Sequence, residues 1–172
     1  MIRRSLLLLA LLVPCLGACA DDPSLGYSTS STYDTGVRTV AVPIFENETF
    51  EYRLEAMLTE AIIKEIQQTT PWRVVSAGNA DTTLIGTLTD ADIRKTATKA
   101  GVGYAQEQSV ELVVDFDWKD NRTGQTLVSR RQFAAAEIFA ASLPVQERIE
   151  IGQHAAIQRL ARDIVHELRS NW

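Results

Sequence analysis

The sequence predicts an α+β fold: a two-layer sandwich in which two amphipathic helices pack on one face of a mixed four- to five-stranded sheet. Three observations carry this. Leu54, Leu58, Ala61, Ile62 and Ile66 recur at spacings of three and four, the period of one helix face. Ile157, Leu160, Ala161, Ile164, Val165 and Leu168 repeat the pattern near the C-terminus. Between them, Val110, Leu112, Val114, Phe116 and Trp118 alternate with Glu111, Asp115, Asp117 and Lys119, as in a strand with one apolar and one wet face. Two apolar helix stripes and a one-sided sheet bury each other most economically as two layers.

The chain opens with Arg3 and Arg4 ahead of an unbroken apolar run, Leu6 to Val13. Eight helical residues span about 12 Å, far short of a bilayer, so the run reads as the core of a secretory leader. Leu16-Gly17-Ala18-Cys19 follows and resembles the bacterial lipobox. That resemblance implies cleavage after Ala18 and lipidation of Cys19, with several acyl chains holding the product on a membrane. Alanine at position 20, where aspartate would signal retention, points to the outer membrane. Residues 1–18 are thus assigned to a lipoprotein signal peptide. Residues 19–36, rich in Ser, Thr and Asp, form the lipidated cysteine and a tether. Residues 37–172 form a single α+β domain.

Within that domain, Val37 to Ile44 predicts a strand with Pro43 near its end. Asn47 and Thr49 stand where they can cap a helix. The helix runs from Phe50 to Gln68 and is stopped by Thr69-Thr70-Pro71. Trp72 to Val75 is a short strand, and the strand–helix–strand order predicts that it lies parallel to the first. After Ala77-Gly78-Asn79, Asp81 to Ile93 is extended, and Lys95 to Gln106, with Gly101 and Gly103, reads as a loop. Ser109 to Lys119 is the alternating strand, Asp120 to Gly124 a hairpin turn, and Gln125 to Ala135 its antiparallel return. Ser142 and Pro144 open the closing helix.

The 172 residues suffice for one domain of ordinary size, with 45% hydrophobic and 23% charged residues. Losing Arg3 and Arg4 with the leader lowers the 17 basic residues by two, to 15 against 22 acidic, and takes the formal charge from −5 to −7. Such a surface is a poor partner for nucleic acid. Removal of Cys15 and lipidation of Cys19 would leave no thiol for a disulfide or a nucleophile.

The residues offer little chemistry. His154 and His166 lie twelve apart on one helix with no third ligand nearby. Asp115, Asp117 and Asp120 sit on the wet side of a strand and its turn, where carboxylates ordinarily serve solvation. Gly101-Val102-Gly103 lacks the strand-to-helix setting of a nucleotide loop. The expectation is therefore a protein without catalysis, cofactor or metal. Arg94, Lys95 and Lys99, with Arg130 and Arg131 on the returning strand, form a candidate site for an anion or glycolipid. The plainer reading is that these cations balance Asp90, Asp92 and Glu111.

Val37-Arg-Thr-Val-Ala-Val-Pro-Ile-Phe-Glu-Asn-Glu-Thr-Phe50 resembles the opening strand and helix approach of the lipopolysaccharide-assembly lipoproteins, the LptE family. Leu54-Glu-Ala-Met-Leu-Thr-Glu-Ala61, Thr70-Pro71-Trp72-Arg73-Val74-Val75 and Ala80-Asp81 leading to Leu84-Ile85-Gly86-Thr87-Leu88 continue the likeness. With the lipobox, Gly26-Tyr27 and the closing helix, it spans nearly all of the mature chain. The resemblance implies two helices on a mixed sheet and a lipid-anchored protein of the outer membrane, facing the periplasm or lying inside a barrel lumen. It also implies a role as plug and assembly partner of an LptD-type β-barrel, and binding of lipopolysaccharide. Lys95 to Gln106 is the segment expected to enter the barrel. The alternative is a free-standing envelope lipoprotein that binds a glycolipid or a peptidoglycan fragment. An envelope hydrolase would need a nucleophile–base pair that these residues do not offer.

Overall fold

A computed structural model describes residues 36–98, 105–140 and 145–170, with the backbone alone at 93–98, 105–107, 139–140 and 145–148. Cys19 and the leader lie outside the described residues. In chain order the elements are β1 (Thr39–Ala41), β2 (Glu46–Asn47), α1 (Leu54–Thr69), β3 (Arg73–Val74), a 3₁₀ turn (Ala77–Asn79), β4 (Thr82–Thr98), β5 (Ala105–Asp120), β6 (Thr126–Ala140) and α2 (Val145–Ser170). The sheet order is β3-β1-β4-β5-β6, with β2 paired to β4.

The sheet is mixed. β1 runs parallel to β3 and to β4, through Val40↔Val74 and Val40↔Thr82, as the strand–helix–strand order predicts for β1 and β3. β4, β5 and β6 form an antiparallel meander. The expected alternation appears along β5: even-numbered residues from Val110 to Asp120 are buried and the odd-numbered ones between them are half-buried. Leu84, Leu88, Val110, Leu112, Val114, Phe116, Trp118 and Val128 share one core with Leu58, Ile62 and Ile66 of α1 and Ile157, Leu160, Ile164 and Leu168 of α2. Both helix stripes therefore close on the apolar face of the sheet. Within this core Trp72 and Trp118 lie with ring centroids 5.2 Å apart and tilted by 46°, a contact that adds to simple area burial. Among the described residues no helix is long and apolar enough to cross a membrane.

Three local expectations need correction. Half of Lys95 to Gln106 is strand and not loop: Lys95 and Thr98 pair with Gln108 and Ala105 in the β4–β5 ladder. Polar side chains do not prevent this, because the ladder satisfies backbone donors and acceptors whatever the side chains carry. Only 99–104 separates the two strands, and it lies outside the described residues.

Asn47 and Thr49 do not cap α1. Arg53 occupies the N-cap position with φ 71° and makes no side-chain cap bond. Asn47 instead ties the approach together: its Nδ2 donates to Glu51 O (2.8 Å) and to Glu55 Oε2 (2.7 Å). Its Oδ1 accepts from the backbone N and the hydroxyl of Thr49 (2.9 and 2.7 Å).

β2 is an added strand that the alternation pattern does not announce. It is two residues long and follows the Pro43 break, pairing Glu46 with Thr87 and Asn47 with Leu88.

Candidate functional site

The helices cover one side of the sheet; the other side carries an open groove of about 390 Å³. Ile44 from the β1–β2 connection, Glu46 from β2, Ile85 from β4, Asp115 and Asp117 from β5, and Arg131 from β6 line it. The chain builds this groove along the edge of β4 opposite β5, where β1 and β2 pair in succession. Pro43 lacks an N–H and cannot extend the β1 ladder, so the pairing with β4 is interrupted between Ala41 and Glu46. Ile44 is left 71% exposed while Phe45 is buried. The N–H of Phe45 donates to the hydroxyl of Thr59 in α1 (3.0 Å), which ties the connection to the helix layer.

Arg131 organises the polar end of the groove. Its NH2 lies 3.0 Å from Asp117 Oδ1, its Nε lies 3.8 Å from Asp115 Oδ2, and its NH1 donates to Phe116 O (3.2 Å). The Ser129 hydroxyl donates to Asp117 Oδ1 (2.6 Å). That bond and the Arg131 guanidinium hold the Asp117 carboxyl below the ordinary aspartate value of 3.8, against the opposing effect of burial. Asp115 Oδ1 accepts from the N–H of Gln132 (2.7 Å), where β6 bulges and Gln132 takes φ 51°. Asp120 accepts from the N–H of Arg122 (2.7 Å) and of Thr123 (3.0 Å), closing the hairpin turn.

These three aspartates are thus structural acceptors, each engaged by named donors, which refines their reading as solvated carboxylates. The two histidines are exposed on α2. His154 borders a second groove, of about 160 Å³, between the helices with Met57, Glu60, Lys64 and Ile157. Among the described residues no three His, Cys, Asp or Glu side chains are grouped to hold a metal ion. What the groove offers chemically is a binding surface with an apolar end at Ile44 and Ile85 and an ionic end at Arg131.

Along the sheet, the backbone positions of Arg94 and Lys95 stand apart from Arg130 and Arg131. Arg130 and Arg131 are adjacent in the chain but face opposite layers. Arg130 NH2 lies 2.6 Å from Glu167 Oε2 of α2, whereas Arg131 stays on the groove side. Arg94 and Lys95 lie far along the β4–β5 ladder, opposite Ser109 and Gln108. Ser109 lies seven residue steps along β5 from Phe116, the partner of Arg130, or roughly 23 Å of strand. The side chains of Arg94 and Lys95 lie outside the described residues, as does all of Lys99.

A feature that sequence periodicity passes over is the segment between β2 and α1. Phe50 is 99% exposed and Tyr52 is 90% exposed, although large aromatic side chains ordinarily contribute to a core. The available signal is their position: Phe50 and Tyr52 stand outside the Leu54–Leu58–Ala61–Ile62–Ile66 stripe.

A family model described as "LptE: Lipopolysaccharide-assembly" matches residues 37–170. No curated protein matches the sequence. Among solved structures, the hypothetical protein CT253 from Chlamydia trachomatis aligns with a TM-score of 0.56 at 13% identity, covering 78% of this chain and 97% of that one. Rare lipoprotein B from Shewanella oneidensis aligns with a TM-score of 0.51 at 13% identity, covering 77% and 95%. PelC from Paraburkholderia phytofirmans, a dodecamer, aligns with a TM-score of 0.51 at 17% identity, covering 81% and 95%. At these identities the likeness establishes a shared fold.

Proposed function

From the premise that this chain belongs to the LptE lipopolysaccharide-assembly family, we propose that it is the lipid-anchored plug and assembly partner of an LptD-type β-barrel in the outer membrane. The observation that carries this is the span of the family match, 37–170, which takes in every element from β1 to α2. Membership makes the chain an envelope lipoprotein of the lipopolysaccharide-assembly type. To this we add the barrel partnership, the outer-membrane location and the anchor at Cys19.

The reading has a physical rationale. A domain with its hydrophobic core closed on one sheet face and an open polar and apolar groove on the other can fill a lumen without unfolding. Several acyl chains at Cys19 would hold it at the membrane, and residues 19–36 would set its reach. The chain would act through shape and interface and carry out no reaction of its own. Arg94, Lys95 and Lys99 remain the proposed contacts for lipopolysaccharide phosphate groups, since charge-assisted bonds are strong for such groups.

The test is a gentle-detergent purification of the tagged lipoprotein from native envelopes, with co-purifying proteins quantified. A stoichiometric large outer-membrane β-barrel is the expected result. Recovery of the lipoprotein alone, under conditions that preserve other envelope complexes, would overturn the partnership in favour of a free-standing binder.

A further inference from the structure

We infer that the segment from Pro43 to Arg53 is a preorganised docking finger, with Phe50 and Tyr52 inserting into an apolar socket rimmed by basic residues on the barrel. This rests on the barrel partnership proposed above and specifies which surface of the domain makes it.

Two aromatic side chains are held in solvent at 99% and 90% exposure. Exposed aromatics cost solvation, and Tyr and Phe are enriched where protein surfaces meet. The backbone beneath them is fixed. Asn47 bridges to Glu51 O and to Glu55 Oε2, and also accepts two bonds from Thr49. The Thr49 hydroxyl accepts from the N–H of Glu51 (3.2 Å), and the N–H of Met57 donates to Arg53 O (3.1 Å). Arg53 itself takes the left-handed conformation at φ 71°, a costly geometry for a long side chain and one that the surroundings must enforce. A segment fixed before binding loses little entropy on docking.

Charge selects the occupant. Glu46, Glu48, Glu51 and Glu55 lie in this segment or at the start of α1, against the single cation Arg53. Among the described residues, no cation forms an ion pair with Glu46, Glu48 or Glu51. An anionic bilayer or a phosphorylated glycolipid would be repelled by this rim. A protein socket carrying Lys or Arg around an apolar floor complements it.

The full-length lipoprotein is co-expressed with the LptD-type barrel of its own organism, and the barrel-to-lipoprotein ratio is measured after detergent purification. Phe50→Ala/Tyr52→Ala is expected to lower barrel recovery by about tenfold or more, and Glu48→Lys/Glu51→Lys to lower it in the same direction. Both variants alter exposed side chains, so their thermal unfolding should match the parent's. Unchanged barrel recovery with both variants would overturn the finger and leave the partnership standing. No barrel with the parent chain would overturn the partnership and the finger together. Unchanged barrel recovery combined with weaker binding of Phe50→Ala/Tyr52→Ala to phosphatidylethanolamine–phosphatidylglycerol vesicles would overturn it in favour of a membrane occupant.

Discussion

Phe45 lies against Gly86 with no room for a side chain between them. A Cβ on Gly86 would stand 2.8 Å from Phe45 Cδ1 and 2.9 Å from the carbonyl oxygen of Asp115. Gly86 is flanked on its own face of β4 by the fully buried Leu84 and Leu88, so the ring lies within the core between sheet and helix. The glycine is what lets the Phe45 ring of the β1–β2 connection seat against β4 at this point.

Gly86→Ala should therefore overpack the core and lower unfolding free energy by about 2–3 kcal/mol. Urea denaturation followed by far-UV circular dichroism measures it. Trimming the ring with Phe45→Leu in the Gly86→Ala background should recover part of the loss. A neutral Gly86→Ala would show that the contact relaxes freely and that the seating of Phe45 does not depend on it.

Asp81 knots together the starts of β1 and β4. Its Oδ2 accepts from the N–H of Arg38 (3.0 Å), the N–H of Thr39 (3.0 Å) and the Thr39 hydroxyl (2.8 Å). The Thr39 hydroxyl bond, then the Arg38 N–H bond, hold its carboxyl below the ordinary 3.8. The Asp120 carboxyl is lowered too, by the N–H groups of Thr123 and Arg122, and Asp117 likewise by Ser129 and Arg131. A depressed folded value means that this stability is fully present above the unfolded value, and it is lost as pH falls through the folded ones. The urea midpoint should hold from pH 7 to about 5 as far as these groups decide it, then fall as the pH drops below about 4. Asp81→Asn should lower the midpoint at pH 7 and flatten the acid limb. An unchanged limb would mean that other groups govern acid unfolding.

Arg130 spans the two layers to Glu167, with its Nε at 2.9 Å and its NH2 at 2.6 Å from Oε2. The two side chains retain 38% and 25% of their exposure, so solvent screens the pair. A double-mutant cycle with Arg130→Ala and Glu167→Ala should give a coupling of about 0.5–1 kcal/mol, shrinking in high salt. Zero coupling would reduce the contact to a surface pairing with no part in docking α2 onto β6.

Cys19→Ser should move the protein from the detergent phase to the aqueous phase in a cloud-point partition, and should remove acyl label from the mature chain. Retention in the detergent phase would show that something other than the proposed thioether anchors it.

The chain's local periods alone determined the two helices, the alternating strand and the side each buries. Helix and strand periods are properties of consecutive residues: Leu54 through Ile66 and Ile157 through Leu168 display their stripes without knowing what they will cover. The lipopolysaccharide-assembly likeness was legible for a similar reason, being carried by ordered segments from Val37 to Leu88.

The tertiary structure decided what depends on residues far apart in sequence. Thr39 and Asp81 meet across 42 positions, and Phe45 meets Gly86 across 41. Neither pairing leaves a local pattern. Strand alternation already puts the adjacent Arg130 and Arg131 on opposite faces, and the packing of β6 decides that one meets Glu167 of α2 and the other Asp115 and Asp117 of β5. By sequence Phe50 and Tyr52 read as the first turn of a helix that in the structure starts only at Leu54. Their exposure follows from a backbone path set by Asn47, Thr49 and the left-handed Arg53, because side-chain direction is fixed by the chain beneath it and hydrophobicity alone does not specify it.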